Sequence, residues 1–135
     1  MAAPSRKSIL VVDDDQSFLA MMVDRLEAEG FRVTSAEDAA QAVIQAEAFS
    51  PAMVIMDVNM PSFGTGIDAL AKLREIPKLK DVPVILMTGM SPEGLREVWR
   101  GTPHQVWIMY KPPKWDILLS QIRRVLGPTE KPPAA

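Results

Sequence analysis

Two apolar runs in this chain end in acid: Ile9-Leu10-Val11-Val12 leads into Asp13-Asp14-Asp15, and Met53-Val54-Ile55-Met56 closes on Asp57. Such runs read as buried strands, and α/β proteins place their chemistry at the C-terminal ends of those strands. Carboxylates gathered at one point repel each other, so their coexistence calls for a cation and suggests a divalent metal with oxygen-centred chemistry. Two more polar residues close apolar runs: Thr88 follows Val84-Ile85-Leu86-Met87, and Lys111 follows the run ending at Tyr110. An acid pair, a single acid, a hydroxyl and an amine are the parts needed to move a phosphoryl group. Asp57 would be the nucleophile, forming an acyl phosphate. Asp13 and Asp14 would help hold Mg²⁺, a hard ion that prefers oxygen ligands and keeps several waters. Lys111 would set a point charge on one phosphoryl oxygen, and Thr88 would donate its hydroxyl to another and move toward it.

Each residue also has a plainer reading. The three acids equally suit the positive end of the helix that follows them. Thr88 reads as a strand-end residue bonded to local backbone, and Lys111 as a solvated lysine. Asp57 resists such a reading, because an unpaired carboxylate closing an apolar strand is costly to bury.

The elements that must position these residues alternate. Strands are expected at 8–12, 31–35, 52–57, 84–87 and 105–110. Helices are expected at about 15–29, 37–49, 67–76, from Ser91-Pro92-Glu93 to near Gly101, and from after Lys111-Pro112-Pro113 to Leu126. Phe18, Leu19, Met22, Val23 and Leu26 form the apolar stripe of the first helix. Pro51 stops the second helix and Gly127-Pro128 the last. Five strands alternating with five helices imply a doubly wound parallel sheet covered on both faces, because parallel crossovers require helices.

The composition agrees with a single soluble domain. The chain has 135 residues, 47% of them apolar and 24% charged, enough for one core without disulfides. Its 15 Lys plus Arg against 17 Asp plus Glu, with no long basic run, argue against nucleic-acid or membrane binding. There is no cysteine, which points to the cytoplasm by default. The N-terminal stretch does not read as a signal peptide, and no apolar run approaches a membrane span. The domain is expected to occupy residues 7–127, with short flexible tails at 1–6 and 128–135.

Val11-Val12-Asp13-Asp14, Asp57-Val58-Asn59-Met60-Pro61, Met87-Thr88-Gly89 and Lys111-Pro112, in this order and at these separations, resemble the receiver domain of bacterial two-component response regulators. The resemblance covers about Lys7 to Leu126 and is specific as a set. It implies a flavodoxin-like three-layer fold with strand order 2-1-3-4-5. It also implies that Asp57 takes a phosphoryl group from a sensor histidine kinase or histidine phosphotransfer protein. Asp13, Asp14 and Asp57 would hold Mg²⁺ with the backbone carbonyl of Asn59, and Thr88 and Lys111 would serve as switch hydroxyl and lysine. The Lys111-Pro112 bond is commonly cis in such domains. A downstream protein would read the face at 90–126, formed by the fourth helix, fifth strand and fifth helix.

Three positions depart from the family pattern. Ile108 stands where an aromatic switch residue is usual, although Tyr110 shares its strand parity; a tyrosine packed under a helix is the plainer reading. The turn from Asn59 to Gly66 is one residue longer than the common pattern, and Pro113 follows the Lys-Pro pair where an aromatic often stands. Nine methionines read as core filler, His104 as a turn residue, and Trp99, Trp107 and Trp115 as packing residues unless exposed.

The leading expectation is a stand-alone phosphorylatable receiver without substrate turnover. Its alternative is a receiver-like module that binds without phosphorylation. An aspartate-nucleophile phosphatase would want an acid where Asn59 stands, and a nucleotide or flavin module would want a phosphate cradle where three acids stand.

Overall fold

The first apolar run becomes β1 (Ser8–Val12), and the helix behind it, α1 (Gln16–Ala28), begins where Asp15 caps it. The Asp15 Oδ1 accepts from the Ser17 and Phe18 amides at 3.0 and 3.1 Å, satisfying two donors that have no partner within the helix. Thus the third acid of the run takes the plain capping role. β2 (Arg32–Ala36) and α2 (Ala39–Phe49) follow, with Asp38 accepting from the Gln41 amide at 2.8 Å. Ser50 ends α2 in the left-handed conformation at φ 46°, one residue before Pro51.

β3 (Met53–Asp57) is buried throughout. α3 (Gly66–Glu75) opens on a reciprocal cap in which Thr65 and Asp68 each bond the other's backbone amide. A 3-10 turn at Pro77–Leu79 leads into β4 (Val84–Thr88), also fully buried. α4 (Pro92–Val98), β5 (Val106–Tyr110) and α5 (Trp115–Leu126) complete the order. The computed structural model describes residues 7–60, 64–99 and 104–127. The expected tails, the Pro61-Ser62-Phe63 part of the long turn and the expected helix end near Gly101 lie outside these residues. α4 itself closes at Val98, earlier than expected, with Trp99 as its cap.

The five strands form one parallel sheet of order β2-β1-β3-β4-β5, so the doubly wound, flavodoxin-like expectation holds. Alternation splits the core in two. Leu10, Val12, Val54, Met56 and Leu86 face α2 and α3, whereas Ile9, Val11, Ile55, Ile85 and Met87 face α1 and α5. The α1 stripe is confirmed at Leu19, Met22 and Leu26, while Phe18 is only half buried. Met22, Met53, Met56, Met60 and Met87 are core residues, as expected, whereas Met21 is exposed. The three tryptophans pack partly buried against the core: Trp99 on the α2–α3 side, Trp107 and Trp115 on the other.

β5 behaves differently from the central strands. It is half buried along most of its length because it has a neighbour on one side only. Ile108 packs against the α2–α3 core, but Tyr110 is 42% exposed, so it is not packed under a helix. Tyr110 is the last residue of an edge strand, which leaves it open to solvent.

Candidate functional site

Register brings the polar strand ends together. Val12 pairs with Met56, so Asp13 and Asp57 follow side by side; Asp57 pairs with Met87, and Thr88 with Tyr110, so Thr88 and Lys111 close the same edge. Side-chain oxygens of Asp13, Asp14 and Asp57 all lie within 4.8 Å of one another. Asp13 and Asp57 are buried and Asp14 is exposed, which gives the cluster a wet side. Three hard oxygen donors converging at that spacing suit a divalent cation such as Mg²⁺.

Lys111 supplies the one ammonium within bonding reach of this cluster among the described residues. Its Nζ lies 2.6 Å from Asp13 Oδ2 and 3.3 Å from Asp57 Oδ2. The ring of Phe18 lies 4.7 Å from the same nitrogen, in cation–π range. Burial draws the Lys111 pKa down, but the Asp13 hydrogen bond and the Asp57 and Asp13 charges outweigh it, leaving it raised. The plain reading of a solvated lysine does not hold.

Asp57 is held from two sides. Its Oδ1 accepts from the Asn59 amide at 3.1 Å, and its Oδ2 faces Lys111. Burial nevertheless pushes its pKa above the ordinary carboxyl value, opposed by the Asn59 amide and Lys111 and assisted by the Asp13 charge. Asp57 is therefore a carboxylate short of positive charge. Asp13 is anchored in turn through Oδ1, which accepts from the Asp15 amide at 2.9 Å.

Thr88 is fully buried, and its Oγ1 accepts from the Met90 amide at 2.9 Å, holding the turn after β4. This is the local backbone bond of the plainer reading. The hydroxyl hydrogen remains available to an acceptor. The Lys111 amide donates to the Thr88 carbonyl at 2.8 Å, and the Lys111-Pro112 bond is cis, as the resemblance implies.

Two contributors escaped the sequence reading. Gly66 opens α3 so close to Asp57 that a Cβ would stand 2.2 Å from the Asp57 carbonyl oxygen. Only glycine lets that helix seat against the end of β3. Its amide donates to the Val58 carbonyl at 3.0 Å, tying the two elements. A glycine at the first position of an apolar-striped helix was the available signal. Phe18 was read as core alone; its place four residues after Asp14 put it one helical turn from the acids.

The comparisons agree with this geometry. The family model described as "Response regulator receiver domain" matches residues 9–99. Over 118 residues, 86% of its length, the chain is 32% identical to the CAI-1 autoinducer sensor kinase/phosphatase CqsS of Vibrio cholerae, and spans 17% of that protein. It superposes on the V. cholerae chemotaxis protein CheY4 with a TM-score of 0.76 at 29% identity, covering 90% of this chain and 99% of that one. The receiver domain of the Pseudomonas aeruginosa sensor histidine kinase PA1611, which has a magnesium ion coordinated in its active-site cleft, gives 0.80 at 28% identity. That match covers 91% of this chain and 99% of the other.

Proposed function

This chain belongs to the response regulator receiver domain family, and from that membership we propose that it acts as a signalling receiver phosphorylated on Asp57 by a histidine kinase or phosphotransfer protein. The observation that carries the proposal is the buried Asp57 carboxylate, short of positive charge, beside both an acid pair and a lysine. Such a group attracts a cation and, with it, an anionic phosphoryl group.

In this reading an Asp57 oxygen attacks the phosphorus of a phosphohistidine. A P–O bond forms as the P–N bond breaks, and the electron pair stays on the donor's imidazole nitrogen. The Asn59 amide orients the attacking carboxylate through Oδ1. Lys111 leaves its position between Asp13 and Asp57 to meet a phosphoryl oxygen, and Thr88 donates its hydroxyl to another while Met90 keeps the turn in place. Asp13, Asp14, Asp57 and the Asn59 backbone carbonyl would hold Mg²⁺, which when bound supplies the positive charge that the three carboxylates and a phosphoryl group need to coexist.

The reply passes to another protein. Tyr110 on β5 and Ile117 on α5 are large apolar side chains left exposed, which supports a protein reader on the α4–β5–α5 face. No described helix is long and apolar enough to cross a membrane. We place the chain in the cytoplasm, the default for a sequence without cysteine.

Intact-mass measurement after incubation with Mg²⁺ and a small phosphodonor tests the proposal. A metal-dependent gain of one phosphoryl group supports it. No gain with the small donor or with a panel of phosphohistidine proteins overturns it in favour of a receiver that binds without phosphorylation.

A further inference from the structure

Among the neighbours of Lys111, the acids have competing duties and Phe18 has none. Asp13 is claimed twice, by the Lys111 ammonium at 2.6 Å and by the carboxylate cluster that suits a cation. Asp57 is the residue that would change chemically. A metal on Asp13 weakens that carboxylate's hold on the lysine, and a phosphoryl group on Asp57 changes its other anchor. The ring 4.7 Å from Nζ is altered by neither event. Lysine has a flexible four-carbon stem, and Lys111 keeps access to solvent, so an ammonium released by the acids has somewhere else to go.

The backbone under Phe18 is also fixed. Its amide donates to Asp15 Oδ1 at 3.1 Å, in the first turn of α1, directly after the acid run. The same side chain packs against the α1–α5 core, which restrains the ring. One turn of helix thus ties the ring to the acids, whatever those acids bind.

We propose that Phe18 is a positioning residue for phosphoryl transfer, holding the Lys111 ammonium over Asp57 through its ring face when Asp13 is turned to the metal. The inference rests on the reading of Asp57 as phosphoacceptor, and it assigns a chemical task to a residue that the apolar pattern placed in the core. The interaction is electrostatic, between a cation and the negative face of an aromatic ring, so a tyrosine preserves it and a leucine does not.

The test compares the native chain with Phe18→Leu and Phe18→Tyr. Lysine side-chain NMR, with Lys111 assigned through Lys111→Arg, reads the contact directly. Its ε-methylene protons are expected to be displaced by the ring current in the native chain with and without Mg²⁺. The displacement should vanish in Phe18→Leu and persist in Phe18→Tyr. Phosphorylation by the small donor is expected to slow about three- to tenfold in Phe18→Leu at saturating donor and Mg²⁺, with half-saturating Mg²⁺ little changed, and to recover in Phe18→Tyr. A ring-current displacement absent from the native chain, or a Phe18→Leu rate equal to native, would overturn the inference. So would a Phe18→Tyr chain as slow as Phe18→Leu, since packing alone then explains the loss. Should the native chain accept no phosphoryl group, the parent reading fails, and the inference falls with it as a statement about transfer; the NMR displacement then separates a ring that holds the lysine from one that does not.

Discussion

The two ends of the sheet use similar charged groups to opposite effect. At the C-terminal edge, Asp13 and Asp57 share one ammonium beside Asp14, and burial leaves Asp57 with a raised pKa. At the N-terminal edge, the Arg74 guanidinium donates to the carbonyls of Leu79, His104 and Gln105 at 3.1, 3.0 and 3.4 Å. Beside it, exposed His104 and Asp81 meet at 2.7 Å. There the hydrogen bond to His104 leads the effects that lower the Asp81 pKa. One cluster is kept short of positive charge; the other is satisfied and wet. Excess negative charge is what attracts a ligand, whereas balanced charge clips a loop to the strand after it.

Asp57→Asn breaks the comparison most sharply. Labelling by the phosphodonor should fall to background, because the nucleophile is gone at nearly constant volume. The fold should gain stability at neutral pH in the absence of metal. The sign follows from linkage: with a folded pKa above the unfolded one, native Asp57 takes up more protons when folded, so stability falls as pH rises through that interval. Thermal melts of both chains across the acid range should show the native chain losing this increment and Asp57→Asn keeping it. Parallel melting curves would remove the claim of a charge held against its preference.

Lys111→Ala removes the one counter-charge found among the described residues. It should cost about 1–3 kcal/mol at neutral pH without metal, discounted from a fully buried pair because Lys111 reaches solvent. Mg²⁺ should restore much of that loss, since the carboxylates remain, while the conformational response to phosphorylation is impaired. Denaturant melts with and without Mg²⁺ check the first part, and backbone NMR before and after phosphorylation the second. A chain that is destabilised equally with and without the metal would mean that the carboxylates do not seek a cation.

How much of this was legible follows from which forces wrote it. The strands, their order and the converging polar ends rest on apolar runs and on residues closing them, and Asp13, Asp57, Thr88 and Lys111 meet at one edge as their positions implied. The share of duties among three consecutive acids was not legible. Asp13 bonds Lys111, Asp14 stays exposed, and Asp15 caps α1, a division set by the chain's turn out of the sheet. The Gly66 contact was hidden because it depends on a helix start meeting a carbonyl nine residues earlier in sequence. The exposure of Tyr110 was not legible because strand parity fixes direction and not how open the last residue of an edge strand is.

Arg74→Met sharpens the comparison from the other end. It removes three hydrogen bonds to backbone carbonyls but no ligand site, so about 1–2 kcal/mol of stability should go while Asp57 labelling continues at the native rate. Denaturant melts and intact-mass time courses on the same preparation check both halves. A labelling defect larger than twofold would show that the two edges are coupled.

His104→Ala has the smallest expected effect. The Asp81 pKa should rise toward the ordinary carboxylate value, followed by carboxyl-carbon NMR titration, with no change in labelling. An unmoved Asp81 titration would leave its lowered pKa without its leading cause.

The most direct measurement concerns where the phosphoryl group sits. An acyl phosphate is cleaved by borohydride, which reduces the carbonyl carbon and converts the aspartate to homoserine with loss of phosphate. The chain phosphorylated with Mg²⁺ and a small donor, reduced and mapped by peptide sequencing in the mass spectrometer, should carry homoserine at Asp57 and at no other acid. Conversion at Asp13 or Asp14, or a stable phosphoryl group on Thr88 that borohydride leaves in place, would contradict the assignment of Asp57 as the nucleophile.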